Sequence, residues 1–333
     1  MALHLCHPAS AQPGALRRAR PRRTVLARAE AERFVWKGGG SGRGAAWEAA
    51  ALEGRGGYAS DGRDVSWFYL DEGSESARPL LLLHGMPAYS YLWRGVVAPL
   101  VAANRRVVAL DLPGFGNSSC ASESSSFRYS LEDYVRSLES VLFETLKLPR
   151  GGAVDIVGQG ILGGTLAGLL LARCPKDVGR VALLNAALTA ETATAMPPPL
   201  GFLLNPFMAQ LQCQNPLALV GTPIQSASPY NIDAEDTASY IAPAMANSGI
   251  GFAAITIAKA LKRDGATAHA EALRALDARG DGVLIAWGTD DRWLGSEPPK
   301  GVLPKARRVL LDGCGHFAAE DWPQKVVEAL LTL

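Results

Sequence analysis

One stretch of this 333-residue chain narrows its fold more than any other. Ala153-Val154-Asp155-Ile156-Val157 reads as a buried strand, and Ile161 to Arg173 as an apolar helix. Between them lies Gly158-Gln159-Gly160, with Gly163 and Gly164 just inside the helix. Glycines at such a junction allow a sharp strand-to-helix turn and make room for the helix against the strand. The pattern predicts one half of a parallel βαβ unit.

The alternation extends in both directions. Val65 to Leu70 reads as an early strand, Pro79 to Leu83 as a strand covered on both faces, and Tyr91 to Val101 as a helix. Arg106 to Leu110 is a strand, Leu131 to Leu146 an amphipathic helix and Val178 to Leu184 a strand. The rhythm stops near residue 188 and resumes with strands at Val283 to Trp287 and Arg308 to Leu311, then a helix from Pro323. The prediction is an α/β fold: a mostly parallel central sheet flanked by helices, with an inserted helical cap. The core occupies 58–187 and 276–333, the cap 188–275, and residues 30–57 form a flexible, Gly- and Ala-rich lead-in.

From Thr192 through Ile232 the cap has no Asp, Glu, Lys or Arg, while Met196, Leu200, Phe202, Leu203, Phe207 and Leu211 crowd it. The plain reading is a cap that packs on the core. The functional one is an apolar pocket wall for a small lipophilic molecule, or a peripheral membrane contact. No uninterrupted apolar run reaches the roughly 20 residues of a spanning helix.

Charge divides the chain unevenly. Residues 1–29 hold six arginines and no acid, leaving 27 basic and 32 acidic side chains in the rest. That acid-free leader, ending Val25-Leu26-Ala27-Arg28-Ala29, has the composition of a transit peptide. A chloroplast address is expected, with a mitochondrial one or a basic arm as alternatives because serine is scarce. The mildly acidic remainder gives no footprint for nucleic acid. Cys6, Cys120, Cys174, Cys213 and Cys314 are scattered, as free thiols in a reducing compartment would be. No metal-ligand spacing is present, and no metal or cofactor is expected.

Four motifs carry chemistry. The first, His84-Gly85-Met86-Pro87, follows a strand, and the Met86 N–H stands where an oxyanion would be received. The second, Asp111-Leu112-Pro113-Gly114-Phe115-Gly116-Asn117-Ser118, reads as scaffold. The third is Gly158-Gln159-Gly160-Ile161-Leu162, a nucleophile elbow with glycine at the nucleophile position. Glycine there removes backbone strain of about 1–3 kcal/mol and any covalent catalysis with it. Leu162, at the elbow's last glycine position, is expected to reshape the turn. The Ile161 N–H completes the oxyanion pair. The fourth motif joins Asp291, in Trp287-Gly288-Thr289-Asp290-Asp291-Arg292-Trp293, to His316, in Gly313-Cys314-Gly315-His316-Phe317. A carboxylate that holds one imidazole nitrogen makes the other a general base.

With these motifs in this order, the chain from Tyr58 onward resembles the α/β-hydrolase-fold proteins. Its His84-to-Arg94 loop is similar to that of haloalkane dehalogenases and epoxide hydrolases. Those relatives place Asp at Gly160, Trp at Ile161 and, in dehalogenases, Asn at Met86, so their mechanism is not available here. A nearer resemblance is to chloroplast α/β-hydrolase-like proteins of plants and green algae. Gln159-Gly160, Cys213-Gln214-Asn215, Ser228-Pro229-Tyr230, Trp287-Gly288 with Asp291, and Glu320-Asp321-Trp322-Pro323 carry it. Members of that group commonly lack a standard nucleophile, and the resemblance implies a plastid location. His84, Gln159, Tyr230, Tyr240 and Trp293 are further pocket candidates, with packing the stronger reading for the two tyrosines. Two functions stay open: a nucleophile-free enzyme with a His/Asp base, and a non-catalytic ligand-binding or scaffold protein.

Overall fold

The computed structural model describes residues 43–333 apart from Arg63 and Glu123. The expected leader over residues 1–29 lies outside them. Strands β1 (Gly57–Ser60), β2 (Ser66–Glu72), β3 (Pro79–Leu83), β4 (Arg106–Leu110), β5 (Val154–Gln159), β6 (Val178–Leu184), β7 (Val283–Gly288) and β8 (Arg307–Leu311) form one sheet. Its order is β1-β2-β4-β3-β5-β6-β7-β8. β2 runs antiparallel to both its neighbours, and all other pairs are parallel.

Every residue of β3 and β5 is buried, as unbroken apolar runs demand when helices cover both faces. The chain leaves β3 toward β4 on one side and returns to β5 on the other. That reversal opens a crevice at the carboxyl ends of β3 and β5, where open α/β sheets place their ligands. The expected architecture is the one observed.

Three local readings need correction. The lead-in is not flexible throughout: Arg43–Glu53 is a helix. Trp47 docks it, donating its Nε1–H to Ser90 Oγ at 2.9 Å and meeting Tyr91 edge-on. A single buried tryptophan among alanines leaves little periodicity to read. The helix expected over Leu131–Leu146 is α-helical only to Ser140, then widens through Val141–Thr145. The cap boundary also moves, because the helix Gly249–Arg279 runs unbroken past residue 275.

That helix lies along Gly160–Arg173, where a Cβ on Gly168 would come within 2.6 Å of Ala272 Cβ. Glycine sets how closely the two helices pack. Outward, the cap presents Phe202, Phe207 and Phe252 at 50%, 71% and 60% exposure. Among the described residues no single helix is long and apolar enough to cross a membrane.

A buried polar clasp fastens the cap to the core. Arg94 makes two bonds to Glu320, at 2.6 and 2.9 Å, and a third to Asp236 of the cap at 2.9 Å. Tyr240 donates to Glu320 Oε2 at 2.7 Å, and Tyr91 to Asp236 Oδ1 at 2.8 Å. Arg43 of the first helix reaches Asp233 and Asp236, each at 3.1 Å. Burying this much charge is tolerable only because each member is multiply paired.

Candidate active site

The parallel register pairs Leu83 with Gly158, so the loop after β3 lies beside the elbow after β5. Gly160 opens the Gly160–Arg173 helix with φ of 67°, the left-handed conformation that a nucleophile would otherwise hold under strain. A Cβ built on it would lie 3.2 Å from His316 Nε2 and 3.5 Å from Gly85 Cα. Leu162 does not reshape the turn, contrary to expectation, but points into the core and is fully buried. Gly163 makes the close approach one residue later, where a Cβ would stand 2.7 Å from the carbonyl oxygens of Leu83 and His84.

Asp291 and His316 meet as expected, with Nδ1 to Oδ2 at 2.9 Å. The carboxylate is held from every side. The N–H groups of Trp293 and Leu294 donate to Oδ1 at 2.7 and 3.0 Å, and Asn185 Nδ2 donates to Oδ2 at 2.8 Å. Burial alone would raise the Asp291 carboxyl, but the adjoining imidazole and these donors hold it below its usual range. An ionised Asp291 fixes the Nδ1–H tautomer, and His316 Nε2 is left as an acceptor facing Gly160. Trp293 stacks on the imidazole with centroids 4.6 Å apart.

Met86, Ile161, Met196, Pro197, Leu200, Trp293 and His316 enclose a cavity of about 10 Å³. That is room for one water-sized molecule. The Met86 and Ile161 side chains line it, and the Ile161 N–H lies in the first helical turn, where no intrahelical acceptor exists. A developing negative charge there would meet the positive end of the helix dipole. Three cap residues form the roof, so anything larger than water enters only if Met196–Leu200 shifts. Among the described residues, no group of three or more His, Cys, Asp or Glu is placed to hold a metal.

Residues 78–323 match the alpha/beta hydrolase fold family. The chain belongs to that family. It is 40% identical over 139 residues to a haloalkane dehalogenase of Mycolicibacterium paratuberculosis, covering 41% of this chain and 43% of that protein. Against a haloalkane dehalogenase of Psychrobacter cryohalolentis it is 42% identical over 83 residues, 25% of this chain and 27% of the relative. The chain thus matches less than half the length of these curated relatives. The crystal structure of a haloalkane dehalogenase from Bradyrhizobium elkani superposes with TM-score 0.68 at 22% identity, over 80% of this chain and 93% of that one. A putative epoxide hydrolase from Klebsiella pneumoniae gives 0.68 at 18% identity, over 85% and 98%. At these identities the solved structures speak for the fold alone.

Within this hydrolase fold several pocket candidates serve as scaffold instead. His84 accepts the Leu112 N–H at Nε2 (2.9 Å) and lies 3.1 Å from Gly85 O through Nδ1. Burial pushes its imidazole down to about 4, so it is neutral and takes no part in the cavity. Gln159 is a cross-brace: Oε1 accepts the Gly85 N–H at 2.9 Å and Nε2 donates to His316 O at 3.1 Å. Tyr240 belongs to the clasp, and Tyr230 accepts the Trp322 Nε1–H at 2.8 Å, so neither lines the cavity. Trp293 does line it. Asn185 was missed, since only the left-handed turn after β6, φ 45°, brings it under Asp291. Its Oδ1 also accepts the Gly288 N–H at 2.9 Å, joining the ends of β6 and β7.

Proposed function

We propose that this protein acts on a small lipophilic substrate through a His316/Asp291 base, with no covalent enzyme intermediate. The observation that carries this is His316 Nε2, aimed at the position a nucleophile would occupy and backed by an Asp291 with four donors. Nε2 takes a proton from water or from the bound substrate, and the Met86 and Ile161 N–H groups receive the negative charge that develops. Hydrolysis by such a site is slow. Loss of the serine from a protease triad costs ~10⁶ in rate, and the residual ~10³–10⁴ over water comes from the oxyanion hole and binding. Lyase or proton-transfer chemistry, which needs no nucleophile, makes fuller use of the dyad.

A non-catalytic ligand-binding protein is the second reading. The nearly closed cavity of about 10 Å³ and the absent nucleophile favour it. We place the protein in the plastid, on the acid-free arginine-rich leader and the resemblance of its cap and closing motifs to plastid proteins. Turnover of lipophilic esters, epoxides and lactones by the protein and by His316→Ala separates the readings. Activity lost in the variant supports the base, whereas equal background in both leaves ligand binding as the function. Import of a fluorescent fusion of residues 1–29 into isolated chloroplasts tests the address, and exclusion from them refutes it.

A further inference from the structure

The cap is almost without charge. From Thr192 to Ala258 its charged side chains are Asp233, Glu235 and Asp236 alone. All three are held by arginines: Arg43 meets each of them at 3.1 Å, and Arg94 meets Asp236 at 2.9 Å. What the cap shows outward is hydrocarbon, with Phe202, Phe207, Leu211, Leu217, Met245 and Phe252 all exposed. Phe207 and Leu211 stand four apart on the helix Pro206–Cys213 and share a face, while Ala209 and Gln212 behind them are buried. That helix ends against the first turn of Gly249–Arg279. There Cys213 Sγ donates to Gly251 O at 3.2 Å, and a Cβ on Gly251 would come within 2.7 Å of Cys213 Cβ. Phe252 is the next residue, and Met245 stands near the end of the preceding helix, Ala234–Ala246. Single exposed apolar residues need no explanation, but a cluster of them marks a docking surface.

Cations begin where the apolar cluster stops. Along Gly249–Arg279, Phe252, Lys259 and Arg263 fall on one stripe of the helix, with Lys262 beside it. The step from Phe252 to Lys259 is about 10 Å of helix. All three basic residues are exposed, and among the described residues only Arg263 has a carboxylate partner, Asp264 at 2.6 Å. An aromatic tip with lysines about 10 Å behind it fits the depth profile of a bilayer surface. Apolar side chains sink roughly 5–10 Å into such a surface, and long cationic ones stay among the headgroups. A second copy pairing through the same patch offers these lysines only another uncharged, apolar face.

We propose that this face of the cap docks on a bilayer bearing anionic headgroups, with Phe207, Leu211 and Phe252 at the acyl boundary and Lys259 and Lys262 among the headgroups. Gln212 of the same docking helix donates to Pro199 O at 2.7 Å, which sets the docked face beside the roof over His316. Docking itself does not depend on what His316 does. Vesicles of phosphatidylcholine and phosphatidylglycerol, mixed with the full chain, test it. The arginine-rich leader is common to every variant, so the reporter is placed in the cap as Phe207→Trp. On vesicles its indole emission is expected to shift to the blue and to be quenched by brominated acyl chains, beyond the change in the unmodified chain. Adding Leu211→Ser with Phe252→Ser lowers the partitioning read by this quenching roughly tenfold or more. Adding Lys259→Gln with Lys262→Gln lowers it roughly fivefold or more. These side chains are exposed, so the variants keep the fold. A vesicle-bound protein whose Phe207→Trp indole stays unquenched, or partitioning unaffected by either pair of substitutions, overturns the proposal. So does dimerisation without vesicles that Leu211→Ser with Phe252→Ser abolishes, which assigns the face to a second copy.

Discussion

On the function proposed above, one missing side chain at Gly160 separates this site from a complete hydrolase triad. The φ of Gly160 is 67°, and a Cβ built on it would lie 3.2 Å from His316 Nε2. Gly160→Ala is expected to cost about 1–3 kcal/mol in urea unfolding, from left-handed strain and the close imidazole. An unchanged midpoint would mean the turn relaxes freely. His84 carries a second prediction. Its folded pKa, about 4, lies below its ordinary 6.5, so between those values the unfolded chain binds the extra proton. Stability is therefore full above pH 6.5 and falls as the pH drops toward 4, by about 3 kcal/mol from this residue. His84→Gln keeps an acceptor for Leu112 and should flatten that part of the profile. An equally steep slope in the variant would move the effect to other groups, such as the buried His269, whose imidazole is also pushed down by burial. Residue identity alone announced Asp291, His316 and Gly160, because each sits in a motif of known order. It also offered Gln159 as a pocket residue, and there it misled, whereas packing, the stronger reading for Tyr230 and Tyr240, is what both tyrosines do. The motif places a backbone position, while the rotamer and its partners decide whether a side chain faces the cavity.

Strands were the most legible elements, since β3, β5, β6 and β7 are apolar runs of ordinary length bounded by turn residues. The helix Arg43–Glu53 was not legible, because its docking depends on Trp47 reaching Ser90 across 43 positions. Several motifs that carried the family resemblance prove to be fastenings. Glu320 holds Arg94 and Tyr240, Asp321 accepts the Gly315 N–H at 2.7 Å and the Ser228 hydroxyl, and Trp322 bonds Tyr230. The cap also grips the histidine loop, through the His316 N–H to Ala227 O at 3.1 Å. Glu320→Ala strands a buried guanidinium and should cost about 3 kcal/mol, twice the roughly 1.5 kcal/mol for Tyr240→Phe, which loses one hydrogen bond to a carboxylate. Urea unfolding of both variants checks the order. Equal, small losses would show that Asp236 alone satisfies Arg94.

Across the whole molecule, loops after β3, β5, β6, β7 and β8 bring Met86, Gly160, Asn185, Asp291 and His316 to one end of the sheet. The mostly parallel, helix-covered sheet followed from the βα rhythm, but neither its strand order nor the closeness of the cap did. Its apolar composition fitted an open pocket wall as well as the nearly filled roof that Met196, Pro197 and Leu200 form. On the proposed reading, the hydrolase site is whole except for its nucleophile. Labelling of Gly160→Ser with a small alkyl fluorophosphonate tests this most directly. Covalent labelling of Gly160→Ser at a single site is expected, with no labelling of the unmodified protein and none when His316→Ala is added. A folded Gly160→Ser variant that stays unlabelled even when Met196→Ala and Leu200→Ala open the roof would refute it, since the base and oxyanion donors could not then be standing where a triad needs them.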